Sequence, residues 1–327
     1  MIYFKAPIPH TSPLTWTLRF ALTILLIPGL LSCSSDDAED GPPLIEGRYE
    51  REVFETFEVT NNISYGSGIT QGGETQTLTL DLYEPFGDEA TDRPILIYVH
   101  SGGFTSGSKA EALLLAPFFA QSGYVVASIA YRLIDIERTS EAATRAVIDA
   151  SHDLRAAIRY VKANSTSLGV DTLNIFIGGF SAGAFTALQT GYVNDLEEIL
   201  AYGGEDLVTY LEANGGFEGS SGNAGTSMPI AGVFNIAGAL GLAEFVEAGE
   251  PPLFSIHGTA DEVVPFNSCY GDGTGVIVEG SNLIHQVADQ VGLTNELIVI
   301  EGGTHTAIID CEECPALLRD FIFANLQ

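Results

Sequence analysis

From residue 44 to the end, short apolar runs alternate with amphipathic stretches. "QTLTLDLYEP" (76–85) alternates with period two and stops at Pro85, which predicts a half-buried strand. "RPILIYVH" (93–100), "GYVVASIAYRL" (123–133) and "LNIFIGG" (173–179) are near-continuous apolar runs, as are "MPIAGVFNIAG" (228–238), "PPLFSIHG" (251–258) and "NELIVIEGG" (295–303). Runs of that length, bounded by turn residues, predict strands buried on both faces. Between them, 139–164 has helical spacing, a Thr-Ser start and an Asn end, and predicts one long helix. Residues 181–193, 281–292 and 314–326 predict three more helices. Strand and helix in alternation imply an α/β fold: a mostly parallel sheet with helices on both faces. One segment breaks the rhythm. Residues 190–227 hold an acidic amphipathic stretch and then the loose "NGGFEGSSGNAGTS", too long for a plain connection. We read it as a small cap or lid insertion over the sheet.

Charge narrows the partners. The chain carries 13 Lys and Arg against 43 Asp and Glu, for a formal net charge of −30. Such a field repels a phosphate backbone, so nucleic acid is an unsuitable partner, and polyanions are disfavoured for the same reason.

"IFIGGFSAGAF" (175–185) carries the candidate chemistry. Gly179-Phe180-Ser181-Ala182-Gly183 follows a predicted strand and opens a predicted helix. G-x-S-x-G in that setting is the pattern of a nucleophile elbow, a tight turn with small residues around an exposed serine. The base must come from another strand-end loop. Of the six histidines, His10 lies in the leader and His152 and His285 lie in predicted helices. His100 and His257 precede other candidate loops, which leaves His305, in "EGGTHTAII" after the last predicted strand. "HGTADEVVPF" (257–266) offers Asp261 and Glu262 as the acid. "VHSGGF" (99–104) ends a strand in consecutive glycines, so Gly102, Gly103 and the Ala182 N–H are candidate oxyanion donors. His100 is expected to hold that loop by hydrogen bonds.

The order of oxyanion loop, G-x-S-x-G, acid and histidine resembles the α/β-hydrolase superfamily, specifically its esterase/lipase branch with the H-G-G-G-type motif. "LDLYEP", "ASIAYRL", "DLRAAIRYVKAN" and "HGTADEVVP" are similar to that branch too. The resemblance implies an α/β-hydrolase fold and a triad of Ser181, Asp261 and His305, with no metal and no cofactor. One position departs from it: Ser101 stands where the branch usually has its first glycine. The activity so implied is hydrolysis of small to medium neutral carboxylic esters through an acyl-enzyme. Acetyl or feruloyl groups on polysaccharide, polyesters and lipids are alternative substrates, and a serine peptidase of the same fold is the alternative class.

At the N-terminus, Lys5 and Arg19 flank the apolar run "FALTILLIPGLLS", of signal-peptide length. "Leu30-Leu31-Ser32-Cys33" resembles the lipobox of bacterial lipoproteins, and the acidic "SSDDAEDGPP" after it resembles Bacteroidetes-type surface-export signals. The expected organisation is a signal peptide (1–32), a tether (33–43) lipidated at Cys33, and a catalytic domain (44–327). That places the protein outside the cytoplasm, on the outer membrane or cell surface, or secreted or periplasmic if the signal is an ordinary one. Expected partners are ester substrates, small or polymer-borne, and a membrane through the Cys33 anchor alone. Nothing in the sequence fixes an oligomeric state. Three cysteines remain, enough for one disulfide. A bridge from Cys269 to Cys311 or Cys314 would tie the acid loop to the base loop.

Overall fold

The computed structural model describes residues 45–270 and 277–327. The expected signal peptide, Cys33 and the tether lie outside the described residues. In chain order the elements are β1 (Phe57–Ile69), β2 (Thr75–Pro85), β3 (Arg93–Val99), α1 (Ala116–Gln121), β4 (Val125–Ile129), α2 (Ser140–Ala163), α3 (Ser165–Leu168) and β5 (Val170–Phe180). There follow α4 (Ala182–Tyr192), α5 (Leu196–Ala213), β6 (Gly232–Ile236), β7 (Ala239–Leu240), β8 (Leu253–Gly258), β9 (Ser268–Tyr270), β10 (Ile277–Gly280), α6 (Ser281–Val291), β11 (Asn295–Ile300) and α7 (Cys314–Ala324).

Eight strands form one sheet in the order β1-β2-β4-β3-β5-β6-β8-β11. From β4 to β11 every neighbouring pair is parallel, while β2 runs antiparallel to both β1 and β4. The continuous apolar runs are explained by burial on two sides. On β3, Ile95, Ile97 and Val99 enter the core that α2 and α4 cover, with Leu154, Ile158 and Leu188. The alternate residues Leu96 and Tyr98 enter the opposite core, with Phe119 of α1 and Leu318 and Ile322 of α7. β7, β10 and β9 form a separate small sheet. Among the described residues no helix is long and apolar enough to cross a membrane.

The 190–227 stretch divides in two. Asp195 and Glu198 close a capping box at the start of α5, and the helix breaks at Gly204 (φ 70°). The segment after α5 is not loose. Arg159 donates to the carbonyls of Glu218 and Ser221 at 2.8 and 2.6 Å, and Lys162 to that of Ser227 at 2.7 Å. Arg155 reaches the Ser227 hydroxyl at 3.0 Å. These donors all project from α2, so the segment is strapped along that helix.

Candidate active site

Ser181 sits between the end of β5 and the first residue of α4, at φ 54° and ψ −118°. That backbone region is costly for a non-glycine residue and persists only where the surroundings fix it. They do: the Ser181 N–H donates to the Ile236 carbonyl at 2.9 Å. A methyl group on Gly179 would lie 2.1 Å from the Val99 carbonyl oxygen, and one on Gly183 1.9 Å from the same atom. The two glycines let the elbow close onto the end of β3.

The loop after β11 carries His305. Its Nε2 lies 2.9 Å from the Ser181 Oγ, and its Nδ1 lies 2.7 Å from the Asp261 Oδ2. Phe180 packs on the imidazole at 5.0 Å between ring centroids. Asp261, after β8, accepts from the N–H groups of Val263 and Val264 at 2.8 and 2.9 Å through Oδ1. Burial alone would raise its pKa. Hydrogen bonds from His257, His305 and those two N–H groups override burial and hold the carboxyl well below the usual carboxylate range. It is therefore a carboxylate, the form that can hold Nδ1–H and leave Nε2 free to accept from serine. Glu262, the other acid of that loop, makes no contact with His305 among the described residues.

The loop after β3 faces Ser181. Gly102 has φ 112°, and its carbonyl accepts from the N–H groups of Thr105 and Ser106, both at 3.1 Å. Gly103 and Ala182 line a cavity of about 290 Å³ together with Ser181, and Gly102 is not among its lining residues. The N–H groups of Gly103 and Ala182 meet no acceptor among the described residues. Phe104, Val147, Phe185, Tyr202 and Val264 make the cavity walls largely apolar. Tyr202 is the contribution of α5, and from residues 190–227 it is the side chain that reaches the cavity. His100 holds the loop from within: its Nδ1 lies 2.7 Å from the Ser101 carbonyl, and its ring stacks on Tyr131 at 4.4 Å. Burial lowers its pKa, which keeps it neutral.

Comparison with known proteins agrees with this fold. A family model described as BD-FAE matches residues 80–238. A thermophilic esterase of Thermogutta terrifontis superposes with a TM-score of 0.56 at 23% identity, over 82% of this chain and 93% of that one. The truncated form of a carbohydrate esterase from gut microbiota also gives 0.56, at 21% identity over 87% of this chain and 99% of that one. These likenesses show the α/β-hydrolase fold, and the BD-FAE match covers just under half of the chain. Among curated relatives, gut esterase 1 of Caenorhabditis elegans is 33% identical over 115 residues, which is 34% of this chain. The chain spans about a fifth of that relative's length.

One expectation for this α/β-hydrolase is corrected. Cys311 and Cys314 form a disulfide with each other, their Cα atoms 5.4 Å apart. The two residues stand at the turn into α7, within bridging range, whereas Cys269 belongs to β9. The bridge therefore closes the end of the base loop on itself and does not tie it to the acid loop.

Two further residues serve the site without having been picked out from the sequence. Glu111 explains Ser101: its carboxylate accepts from the Ser101 N–H at 2.9 Å, from the Ser101 hydroxyl, and from the Tyr98 hydroxyl at 2.8 Å. A serine replaces glycine where an acid can take its side chain. His257, buried behind the triad, lies 3.3 Å from the Asp261 Oδ2 through Nε2. Its Nδ1 meets the Ser281 Oγ at 2.8 Å, and that hydroxyl in turn accepts from the Asn235 side chain at 2.9 Å. The "HG" before the acid was the available signal, since a histidine that ends a buried strand needs a polar partner.

Proposed function

We propose that this protein is an exported serine carboxylic ester hydrolase, anchored by lipid at Cys33, that cleaves small to medium neutral esters. The observation that carries the reading is the hydrogen-bonded line Ser181–His305–Asp261, opening on a cavity beside two unengaged N–H groups. In this mechanism Ser181 Oγ attacks the ester carbonyl as His305 Nε2 takes its proton. Asp261 orients the ring and stabilises the imidazolium. The N–H groups of Gly103 and Ala182 receive the oxyanion, each contributing about 3–4 kcal/mol. His305 then protonates the departing alkoxide, and water repeats the sequence on the acyl-enzyme. The related carbohydrate esterase favours a second substrate, an acyl group borne on polysaccharide, which a lipid-anchored surface enzyme would meet.

Hydrolysis of p-nitrophenyl acetate through octanoate, beside Ser181→Ala, tests the reaction. The expected result is turnover of the short esters and its loss, by several orders of magnitude, in the variant. A folded protein inactive on every ester would overturn it. Mass spectrometry of the mature N-terminal peptide tests the anchor: a lipidated Cys33 is expected, and an unmodified cysteine would refute it.

A further inference from the structure

The cavity beside Ser181 has one charged side chain among its lining residues, Arg138. Every other cationic side chain among the described residues is engaged. Arg48, Arg93, Lys109, Arg132, Arg145, Arg155, Arg159 and Arg319 pair with carboxylates. Arg51 and Lys162 donate to backbone carbonyls. Arg138 has no carboxylate, carbonyl or ring partner among the described residues, although the acids Asp135, Glu137 and Glu141 are close in sequence. Asp135 accepts from Thr70 and Gly72, and Glu141 pairs with Arg145. Arg138 is an exposed residue where it lines the cavity, and in a chain with 43 acidic residues an arginine with no partner among the described residues is available to an anion from outside.

The cavity also fixes which part of an ester would reach it. The leaving alcohol takes its proton from His305, so it departs on the His305 side. His305 does not line this cavity. A second cavity of about 220 Å³ opens against Phe180, which packs on the His305 ring. The alcohol therefore belongs on that side. The acyl arm belongs in the cavity that holds Ser181, Gly103 and Ala182, between the apolar walls of Val147, Phe185 and Tyr202.

We propose that Arg138 selects esters whose acyl arm ends in a carboxylate: half-esters of dicarboxylic acids with an apolar stem. The stem lies along the apolar walls and the terminal carboxylate meets the guanidinium at the rim. The arginine fork suits a carboxylate and is always charged. This rests on the ester-hydrolase reading above and adds one charged class to its substrates.

The test compares p-nitrophenyl hemisuccinate, hemiglutarate and hemiadipate with the neutral butyrate, valerate and hexanoate. The readout is the ratio of kcat/KM, charged over neutral at matched length, within each enzyme, so that differences in folding cancel. In the wild type one chain length is expected to favour the charged ester about five- to tenfold, through a lower KM. The preference should shrink as potassium chloride rises. Arg138→Gln should bring the ratio down at that length, Arg138→Lys should keep part of it, and Arg138→Glu should lower it further. A ratio that is the same in the wild type and Arg138→Gln at every length overturns the proposal. Failure of the ester-hydrolase reading is seen separately, as wild-type protein that hydrolyses neither series.

Discussion

Gly183→Ala sets two effects of opposite sign against each other. Gly183 lies in the first turn of α4, and alanine in a helix interior is worth up to about 1 kcal/mol over glycine. Propensity alone would make the variant more stable. The added methyl would sit 1.9 Å from the Val99 carbonyl oxygen and 2.9 Å from that of His100. Both atoms are backbone at the end of β3, and no rotamer change relieves the contact. Overpacking of this kind costs about 1–3 kcal/mol, so the clash wins and the urea midpoint should fall. The activity loss should be larger. Relief requires α4 and the end of β3 to separate by about 1 Å, and such a misplacement can cost 10²-fold. The gap would open between Ser181 and Ala182 on one side and the Gly103 loop on the other, the groups that must converge on one carbonyl. The assay is kcat on p-nitrophenyl acetate, beside urea unfolding followed by circular dichroism. A variant with wild-type kcat and a raised midpoint would refute the close-approach argument and leave propensity as the stronger effect.

Other expectations follow from single contacts. His257→Gln removes the ring behind Asp261, and kcat should drop about tenfold or more with KM nearly unchanged; an unaltered kcat would show that Asp261 needs no such support. Asp153→Ala strips the nearer carboxylate from buried Arg132, whose Nη2 lies 2.8 Å from it and whose N–H also donates to it, and leaves Asp149 at 3.6 Å. Breaking a buried pair costs about 3–5 kcal/mol where no other partner remains, so with Asp149 in place the loss, read from the urea midpoint, should fall at or below the low end of that range. Glu250 has a pKa pushed up to about 7 by burial and by the nearby Glu198 and Glu247. A carboxyl that holds its proton more tightly when folded contributes stability below the ordinary carboxylate pKa, and this contribution is lost as pH rises through 7. Melting temperature should thus fall less between pH 5 and 8 in Glu250→Gln than in the wild type, and parallel curves would argue against the shift.

The sequence was most readable where burial is two-sided. The runs at 93–100, 173–179 and 251–258 became the interior strands β3, β5 and β8, while the run at 295–303 became β11, which closes one edge of the sheet and is only half-buried. Ser181 and His305 were readable because each follows one of these strands. β1 escaped notice because its residues alternate between half-buried and exposed with hardly any fully buried position, so "FEVTNNISYGSGI" has no apolar run to announce it. Residues 214–227 looked loose because glycine and serine dominate them. What holds them is a set of arginines and a lysine on α2, some sixty residues away in sequence, which no local pattern reveals. The cysteines misled for the opposite reason: the long-range pairing that would join two functional loops lost to a local turn that already brings Cys311 and Cys314 within reach.

The acidity of the chain poses a problem for the proposed chemistry, because an oxyanion has to develop inside a molecule of net charge −30. The carboxylates that hold the base and the loop after β3 meet it by accepting several hydrogen bonds each. Asp261 takes hydrogen bonds from His305 and from two N–H groups, with His257 at 3.3 Å, and Glu111 takes three from Ser101 and Tyr98. Each such bond offsets part of the negative charge at short range, and in a mostly apolar cavity short range decides the energy. Among the described residues the Gly103 and Ala182 N–H groups are left unengaged where the charge would form, and Arg138, which lines the cavity, has no partner. Net charge governs what approaches the protein from a distance. The field at Ser181 is set instead by which nearby groups still have hydrogen bonds to give, and around this serine the unused groups are donors.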